Sequence, residues 1–146
     1  MAVGLELVSD RNTGAIRDLD RLLAGMRPSL QEGRYAFTTL PPDQTMDPTK
    51  VIASIREAEG LSMVLAETDA LALGLPIAFV AAWITLEVHS DLAAIGLTAA
   101  FSQALAQAGI GCNVVAGAMH DHLFVPVEQA PEAMAALQAL QEHAAR

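Results

Sequence analysis

Residues 83–127 read WITLEVHSDLAAIGLTAAFSQALAQAGIGCNVVAGAMHDHLFVPV, and this stretch decides the fold. Its first part alternates between apolar and polar residues. Ile84 and Leu86 lie on one side of the alternation, and Thr85 and Glu87 lie on the other. A period of two predicts a strand with one buried face and one face left polar.

The pattern after this strand changes to a helical period. Leu97, Phe101 and Leu105 recur at a spacing of four, which predicts an amphipathic helix after a short loop. Gly109 is the type of residue that commonly follows the last turn of a helix. The apolar segment at residues 110–116, a polar tip and the apolar end of the stretch predict two further strands. The predicted order is strand, loop, helix, strand, hairpin, strand.

The composition fits one ordinary domain or two very small ones. The chain has 146 residues and is 53% hydrophobic, but only 4% of its residues are aromatic. Much of the apolar content is alanine, which buries little area. We therefore expect a thin core, with extra apolar surface covered by a partner subunit.

The charge of the chain disfavours two classes of partner. The net charge is −9 and the 8 Lys and Arg residues form no run, so nucleic acid and anionic membranes are not expected partners. The single cysteine, Cys112, lies among apolar residues and is expected to pack as a small hydrophobe in a reducing cytoplasm. No signal peptide is expected, and the longest apolar run, 76–84, is too short to span a bilayer.

The rest of the chain also alternates between strand and helix patterns. Asp47 followed by Pro48 has the form of a helix start, and the predicted helix carries Val51, Ile52 and Ile55 inward to end near Gly60. The other predicted elements are an edge strand in residues 1–12, a helix at 14–26 ended by Pro28, strands at 34–40 and 61–67, a helical turn at 68–74 and a last helix at 131–143.

A weak internal repeat supports a duplicated architecture. Sliding the chain by 49 residues places Gly60 on Gly109 and the strand around Phe37 on the strand around Leu86. Few residues are identical, so the repeated order of elements is the better evidence.

The second half of the chain resembles an ACT domain, a small βαββαβ ligand-sensing module. Residues 83–98, 108–117 and 120–126 carry this resemblance. The first half, through residues 33–37 and 56–65, resembles the partner unit in a family of small bacterial proteins with tandem ACT-like units. These proteins are similar to the regulatory end of aspartate kinases and to cytosolic arginine sensors, but they lack a catalytic domain.

The resemblance implies a fold and a function. The implied fold is α+β and ferredoxin-like, with two tandem ACT-like units, antiparallel sheets, and a boundary that separates residues 1–77 from 78–146. The implied function is that of a non-catalytic, cytoplasmic regulatory protein that binds an amino acid, needs no cofactor and forms a homo-oligomer. A purely structural interaction module is an alternative.

The predicted ligand site is the loop before the central helix. Backbone N–H groups and the helix dipole favour a carboxylate there, although Ser90 or Asp91 could instead simply cap the helix. Asn113 interrupts an apolar strand, and a buried amide would need a partner, either a ligand or a neighbouring strand or subunit. The predicted ligand-binding residues are Ser90, Asp91, Leu92, Ala93, Gly96, Asn113, Glu59 and Ser62.

The tip at His120, Asp121 and His122 is the basis for an enzymatic alternative. Two histidines on one face of an extended strand can chelate Zn²⁺ or Ni²⁺. The chain shows no third ligand at useful spacing, although His89 or Glu87 could approach in space, so no metal is expected. Neither a nucleophile elbow nor a phosphate-binding loop occurs in the sequence.

Overall fold

The computed structural model describes residues 18–88 and 96–146. In these ranges, antiparallel strands form one continuous sheet that carries helices. The strands are β1 (Arg27–Leu30), β2 (Tyr35–Leu40), β3 (Val51–Glu57), β4 (Gly60–Ala66), β5 (Ile77–Glu87), β6 (Asn113–Ala116) and β7 (Asp121–Pro126). The helices are α1, described over residues 18–25, α2 (Glu67–Ala72), α3 (Leu97–Gln107) and α4 (Ala130–Ala145). Two 3-10 turns lie at Pro48–Lys50 and Val127–Gln129.

The sheet consists of two ferredoxin-like units that share one strand. The strand order is β3-β4-β2-β5-β7-β6, and β1 pairs with β5 on the edge that β2 also uses. The first unit is β2, β3, β4, α2 and the start of β5. The second unit is the rest of β5, then α3, β6, β7 and α4, with β1 as its fourth strand. Both units have the same antiparallel strand order, which confirms the α+β, ferredoxin-like prediction of two tandem units, although the first unit lacks the helix between its first two strands.

The long strand β5 joins the units. Its first residues pair with β2, and its later residues pair with β7 on one side and β1 on the other. The predicted boundary between residues 77 and 78 falls at the first residue of this shared strand. Although β1 precedes the first unit in sequence, it completes the sheet of the second unit.

Each unit has its own hydrophobic core beneath its helices. The core of the second unit is the larger and is formed by β5, β7 and helices α1, α3 and α4. Its fully buried members include Met26, Ile84, Phe101, Leu123 and Leu137. The core of the first unit is smaller and includes Ala36, Met63, Leu65 and Ala70. Among the described residues, no helix has the length and apolarity to cross a membrane.

The predicted helix between Asp47 and Gly60 is wrong. Asp47 does cap a turn by accepting from the Thr49 backbone N–H at 2.9 Å, but only the 3-10 turn follows. The chain then forms β3, which pairs with β4 through a tight turn, and Ile55 is 66% exposed rather than inward. The β-branched residues Val51, Ile52 and Ile55 favour the strand, and cross-strand pairing prevails over the start signal.

The offset of the internal repeat must be corrected as well. The strand registers make Phe37 equivalent to Trp83 and Val64 equivalent to Phe124. Equivalent residues of the two units are therefore about 46 positions apart in the first strands and about 60 positions apart in the hairpins. A uniform shift of 49 fails because the first unit has a short loop where the second has α3.

The remaining sequence predictions have mixed outcomes. The strands at 34–40 and 61–67, the turn at 68–74 and the last helix are confirmed, as is the part of the first helix that is described. The predicted edge strand at 1–12 lies outside the described residues. Strand β1 was not predicted. The prediction that Thr85 lies on a polar, solvent-facing side of its strand is wrong, because Thr85 is only 6% exposed.

Candidate ligand-binding site

The predicted ligand loop ends at the N-terminus of α3. Gly96 is the N-cap residue and has a φ of 97°, a left-handed conformation that favours glycine. Because glycine has no side chain, the N-cap residue itself provides no hydrogen-bond acceptor from a side chain to the first N–H groups of the helix. The N-cap position is therefore taken by Gly96, and capping by the side chain of Ser90 or Asp91 stays a prediction. Ser90, Asp91, Leu92 and Ala93 lie outside the described residues.

The surroundings of Gly96 are apolar. A Cβ added to Gly96 would lie 3.0 Å from Cδ2 of Leu19 in α1. Any larger residue would therefore clash with α1 and would also be strained by the positive φ. The absence of a side chain at Gly96 therefore allows α3 to pack closely against α1.

The helix α3 is held firmly in the core of its unit. Leu97, Phe101 and Leu105 are 3%, 0% and 0% exposed, as their spacing predicted. The Ile110 N–H donates to the Leu105 carbonyl at 2.9 Å, and Gly109 ends the helix as predicted. The donors at the N-terminus therefore have a fixed direction.

Asn113 does not form the buried amide that the sequence suggested. It is the first residue of β6, it is exposed, and it pairs with Phe124 of β7. Cross-strand partners share one face of a sheet, so Asn113 lies on the face opposite the helices. That face is distinct from the N-terminus of α3.

Glu59 and Ser62 belong to the hairpin of the first unit. Glu59 is exposed in the turn between β3 and β4, and Ser62 lies in β4 beside Ile55 of β3. The Ser62 hydroxyl donates to the Glu57 carboxylate. This hairpin lies near the start of β5, whereas Gly96 follows its end, so the structure does not bring these residues together with Gly96 within one chain.

The face of the sheet opposite the helices holds an aromatic cluster that the sequence did not reveal. It contains every aromatic residue except Phe101 and consists of strand residues. Trp83 lies edge-on to Tyr35 and stacked on Phe124, with ring centroids 5.2 and 6.1 Å apart. Phe37 lies edge-on to both Phe79 and Phe124. The alternating positions of these aromatics in β2, β5 and β7 could have revealed the second apolar face.

The sheet curls around this aromatic cluster. In the strand order of the sheet, its edge strands β3 and β6 are separated by five strand-to-strand spacings. This separation would be about 24 Å in a flat sheet. Ile52 and Ala53 of β3 nevertheless line the same cavity, of about 270 Å³, as Val115 of β6. The face opposite the helices is therefore concave, and both units contribute to it.

His122 is fixed within the concave face. Its Nδ1 accepts from Trp83 Nε1–H at 3.0 Å and lies 3.3 Å from the Thr85 hydroxyl, which in turn accepts from Gln31 at 3.1 Å. The neutral ring therefore carries its proton on Nε2. Burial, and then the nearby charge of His120, lower the pKa of His122.

The geometry of the histidines does not favour the metal alternative. Asp121 and His122 are the first residues of β7 rather than a free tip. Nδ1 of His122 is engaged, and its Nε2 would lie 3.1 Å from a Cβ on Gly117, which explains the need for glycine there. Within the part of the chain that the structure describes, no three His, Cys, Asp or Glu residues are grouped to hold a metal.

Cys112 is half-buried and packs against the core of the second unit, as predicted. Burial raises the pKa of its thiol to about 11, which keeps it protonated at neutral pH. It is therefore a packing residue and not an activated nucleophile.

The fold and the sequence together define the class of this protein. Residues 14–82 and 79–139 each match the ACT domain family. The chain belongs to the ACT domain family and contains two such domains in tandem. The two matches meet at residues 79–82, inside the shared strand β5.

Solved structures show the same architecture. The chain is 41% identical to a Vibrio cholerae protein of unknown function described as a possible transport protein, covering 87% of this chain and 98% of that one, with a TM-score of 0.75. It is 19% identical to an Agrobacterium tumefaciens protein, over 80% of this chain and 89% of that one, with a TM-score of 0.61. The ligand-free regulatory subunit of aspartate kinase from Thermus thermophilus is 14% identical over 77% and 95%, with a TM-score of 0.55. No curated protein matches the chain.

Proposed function

We propose that this protein is a non-catalytic, cytoplasmic regulator that binds an amino acid at the N-terminus of α3. The observation that carries the proposal is the N-cap glycine Gly96, which offers no side chain to the first N–H groups of a helix that three buried side chains anchor. Fixed N–H donors and the positive end of the helix dipole favour a carboxylate. The tandem ACT architecture and its likeness in fold to an aspartate kinase regulatory subunit support a regulatory role.

The rest of the proposed site comes from the preceding loop and from a second copy of the chain. Ser90, Asp91, Leu92 and Ala93 precede the helix in sequence, and the Asp91 carboxylate is suited to the α-ammonium group of the ligand. Glu59, Ser62 and Asn113 lie away from Gly96 in the same chain, so they would join this site only from the partner in a homo-oligomer.

The shared strand β5 offers a route from binding to regulation. It leads from the first unit directly into the proposed ligand loop. A ligand that binds one arrangement of the two units more tightly than another shifts the population toward that arrangement.

Calorimetry against the twenty amino acids tests the proposal. We expect one amino acid, or a few related ones, to bind, and we expect Ser90→Ala and Asp91→Asn to weaken this binding. Asp20→Asn, on the exposed side of α1, is the matched control and should bind as the wild type does. Substitution of Gly96 is unsuitable because the contact with Leu19 confounds it.

Two results would contradict the proposal. If no amino acid binds at millimolar concentration, the proposal is wrong. A light-scattering mass near 15.3 kDa at micromolar concentration would contradict the homo-oligomer.

A further inference from the structure

A second, larger cavity opens on the concave face beside the hairpin of the first unit. Its volume is about 480 Å³, within the range of small-molecule sites. Phe37, Val64 and Ile77 of the first unit form apolar parts of its wall, and Val115 of the second unit borders it. An occupant would therefore contact both ACT units of one chain. Within one chain, this cavity is distinct from the N-terminus of α3, which lies beyond the other end of β5.

The polar groups of the cavity include one carboxylate and several hydroxyls. Glu57 is the only charged residue among the described residues of the lining. The Ser62 hydroxyl donates to Oε1 of Glu57 and so orients the carboxylate, and Thr39 lies opposite Ser62 in the register of β2 and β4. The salt bridges found in the described ranges are Arg34 with Glu67 and Lys50 with Asp69, so neither of them neutralises Glu57.

The chemistry of the lining selects one class of ligand. A carboxylate at the margin of an apolar cavity attracts a cation, and the apolar wall favours a hydrocarbon body. The net charge of −9 adds a general attraction for cations and repels anions. We propose that this cavity binds a small primary amine with an apolar body, whose ammonium group pairs with Glu57.

The bound amine would also hold the two edges of the curled sheet together. Ala53 and Ile55 come from the edge strand β3, and Val115 comes from the edge strand β6. A ligand in contact with all three residues slows local opening of both edges. Hydrogen exchange therefore slows in β3 and in β6 when the amine binds.

Calorimetry with 2-phenylethylamine at about pH 7 tests the charge requirement. Glu57→Gln binds about tenfold or more weakly because a charge-assisted hydrogen bond is lost. Glu142→Gln, an equal change of charge on the exposed side of α4, binds as the wild type does. The neutral 2-phenylethanol and the anionic 3-phenylpropanoate bind more weakly than the amine.

Filling the cavity gives a second, independent test. Ala78 is exposed and lines the cavity, so Ala78→Phe fills it without disturbing a buried core. This variant loses amine binding, whereas Ala135→Phe on the exposed side of α4 retains it. Equal melting temperatures of the variants and the wild type confirm that the loss is local.

The amine experiments are separable from the amino-acid experiments. The probe has no carboxylate, so Ser90→Ala leaves its binding unchanged even if the proposed amino-acid site fails. The cavity proposal is overturned if 2-phenylethylamine does not bind at millimolar concentration, or if Glu57→Gln binds it as tightly as the wild type. It is also overturned if hydrogen exchange slows only near α3.

Discussion

The two ACT units have the same strand order but cover their sheets differently. In the second unit, α3 crosses the sheet and buries Phe101 completely. The equivalent connection in the first unit is a loop with a 3-10 turn, and Met46 of this loop packs against a smaller core. The ferredoxin-like strand order is therefore maintained without a helix in this connection, whereas α3 adds three buried side chains to the core of the second unit and carries the proposed N-terminal anion site.

The largest expected effect comes from the helix that the first unit lacks. Phe101→Ala should lower the free energy of unfolding by about 3–5 kcal/mol, the usual range for a buried phenylalanine. Met46→Ala should cost clearly less, because Met46 is only partly buried in its loop. Urea denaturation of both variants measures the difference. Equal losses would show that the loop stabilises its unit as much as α3 does.

A matched pair of positions sharpens the comparison. Leu123 and Met63 are equivalent by register and are 0% and 2% exposed. Leu123→Ala should cost about 2–5 kcal/mol. Met63→Ala should cost less because Met63 lines the cavity beside the hairpin of the first unit, where part of its surroundings is already empty. If Met63→Ala loses more free energy of unfolding than Leu123→Ala in denaturant titration, the core of the first unit is the more tightly packed one.

Between about pH 5 and 7, the pH dependence of stability should come from the second unit. The lowered pKa of His122 means that the unfolded chain binds its proton first, so stability should decrease as pH falls from about 6.5 through the folded pKa. Burial raises the pKa of Asp121, which gives the opposite trend at lower pH. The equivalent residue in the first unit, Ser62, does not titrate in this range.

Thermal unfolding and fluorescence can follow this effect. His122→Asn should flatten the pH dependence between about pH 5 and 7. The single tryptophan, Trp83, donates to His122 and should change its emission over the same range. If the stability of His122→Asn still depends on pH in this range, another group causes the effect.

The smallest effect is expected at the end of the shared strand. Glu87→Ala should change the free energy of unfolding by no more than about 0.5 kcal/mol because the side chain is exposed. Leu86→Ala, one residue earlier and fully buried, is the internal control and should cost about 2–5 kcal/mol. Similar values for the two variants in denaturant titration would mean that the register of β5 is wrong.

The sequence predicted the second unit better than the first. The strand before Glu87, the period of nearly four through Phe101 and the glycine after α3 all agree with the structure. In the first unit, the cap and proline at Asp47 and Pro48 suggested a helix. Local signals identify where a helix can begin, but they do not show whether a neighbouring strand is available to pair with.

The candidate sites were only partly accessible from the sequence. The helix N-terminus was predicted because Gly96 and the apolar repeat that follows are local features. The cavity beside Glu57 was missed because it depends on Val115, which is distant in sequence. The buried state of Thr85 was missed for the same reason, since Gln31 and His122 reach it from other strands.

The sequence by itself determined the tandem ACT class, the face of β5 that packs on the helices, and the limits of α3. These features depend on side-chain periodicity and on turn residues, which act over a few positions. Only the tertiary structure decided that one strand serves both units, that β1 completes the second unit, and that the sheet curls into a concave face. Those outcomes depend on which distant strands pair and how far the sheet twists, because pairing and curvature are set by contacts between residues far apart in the chain.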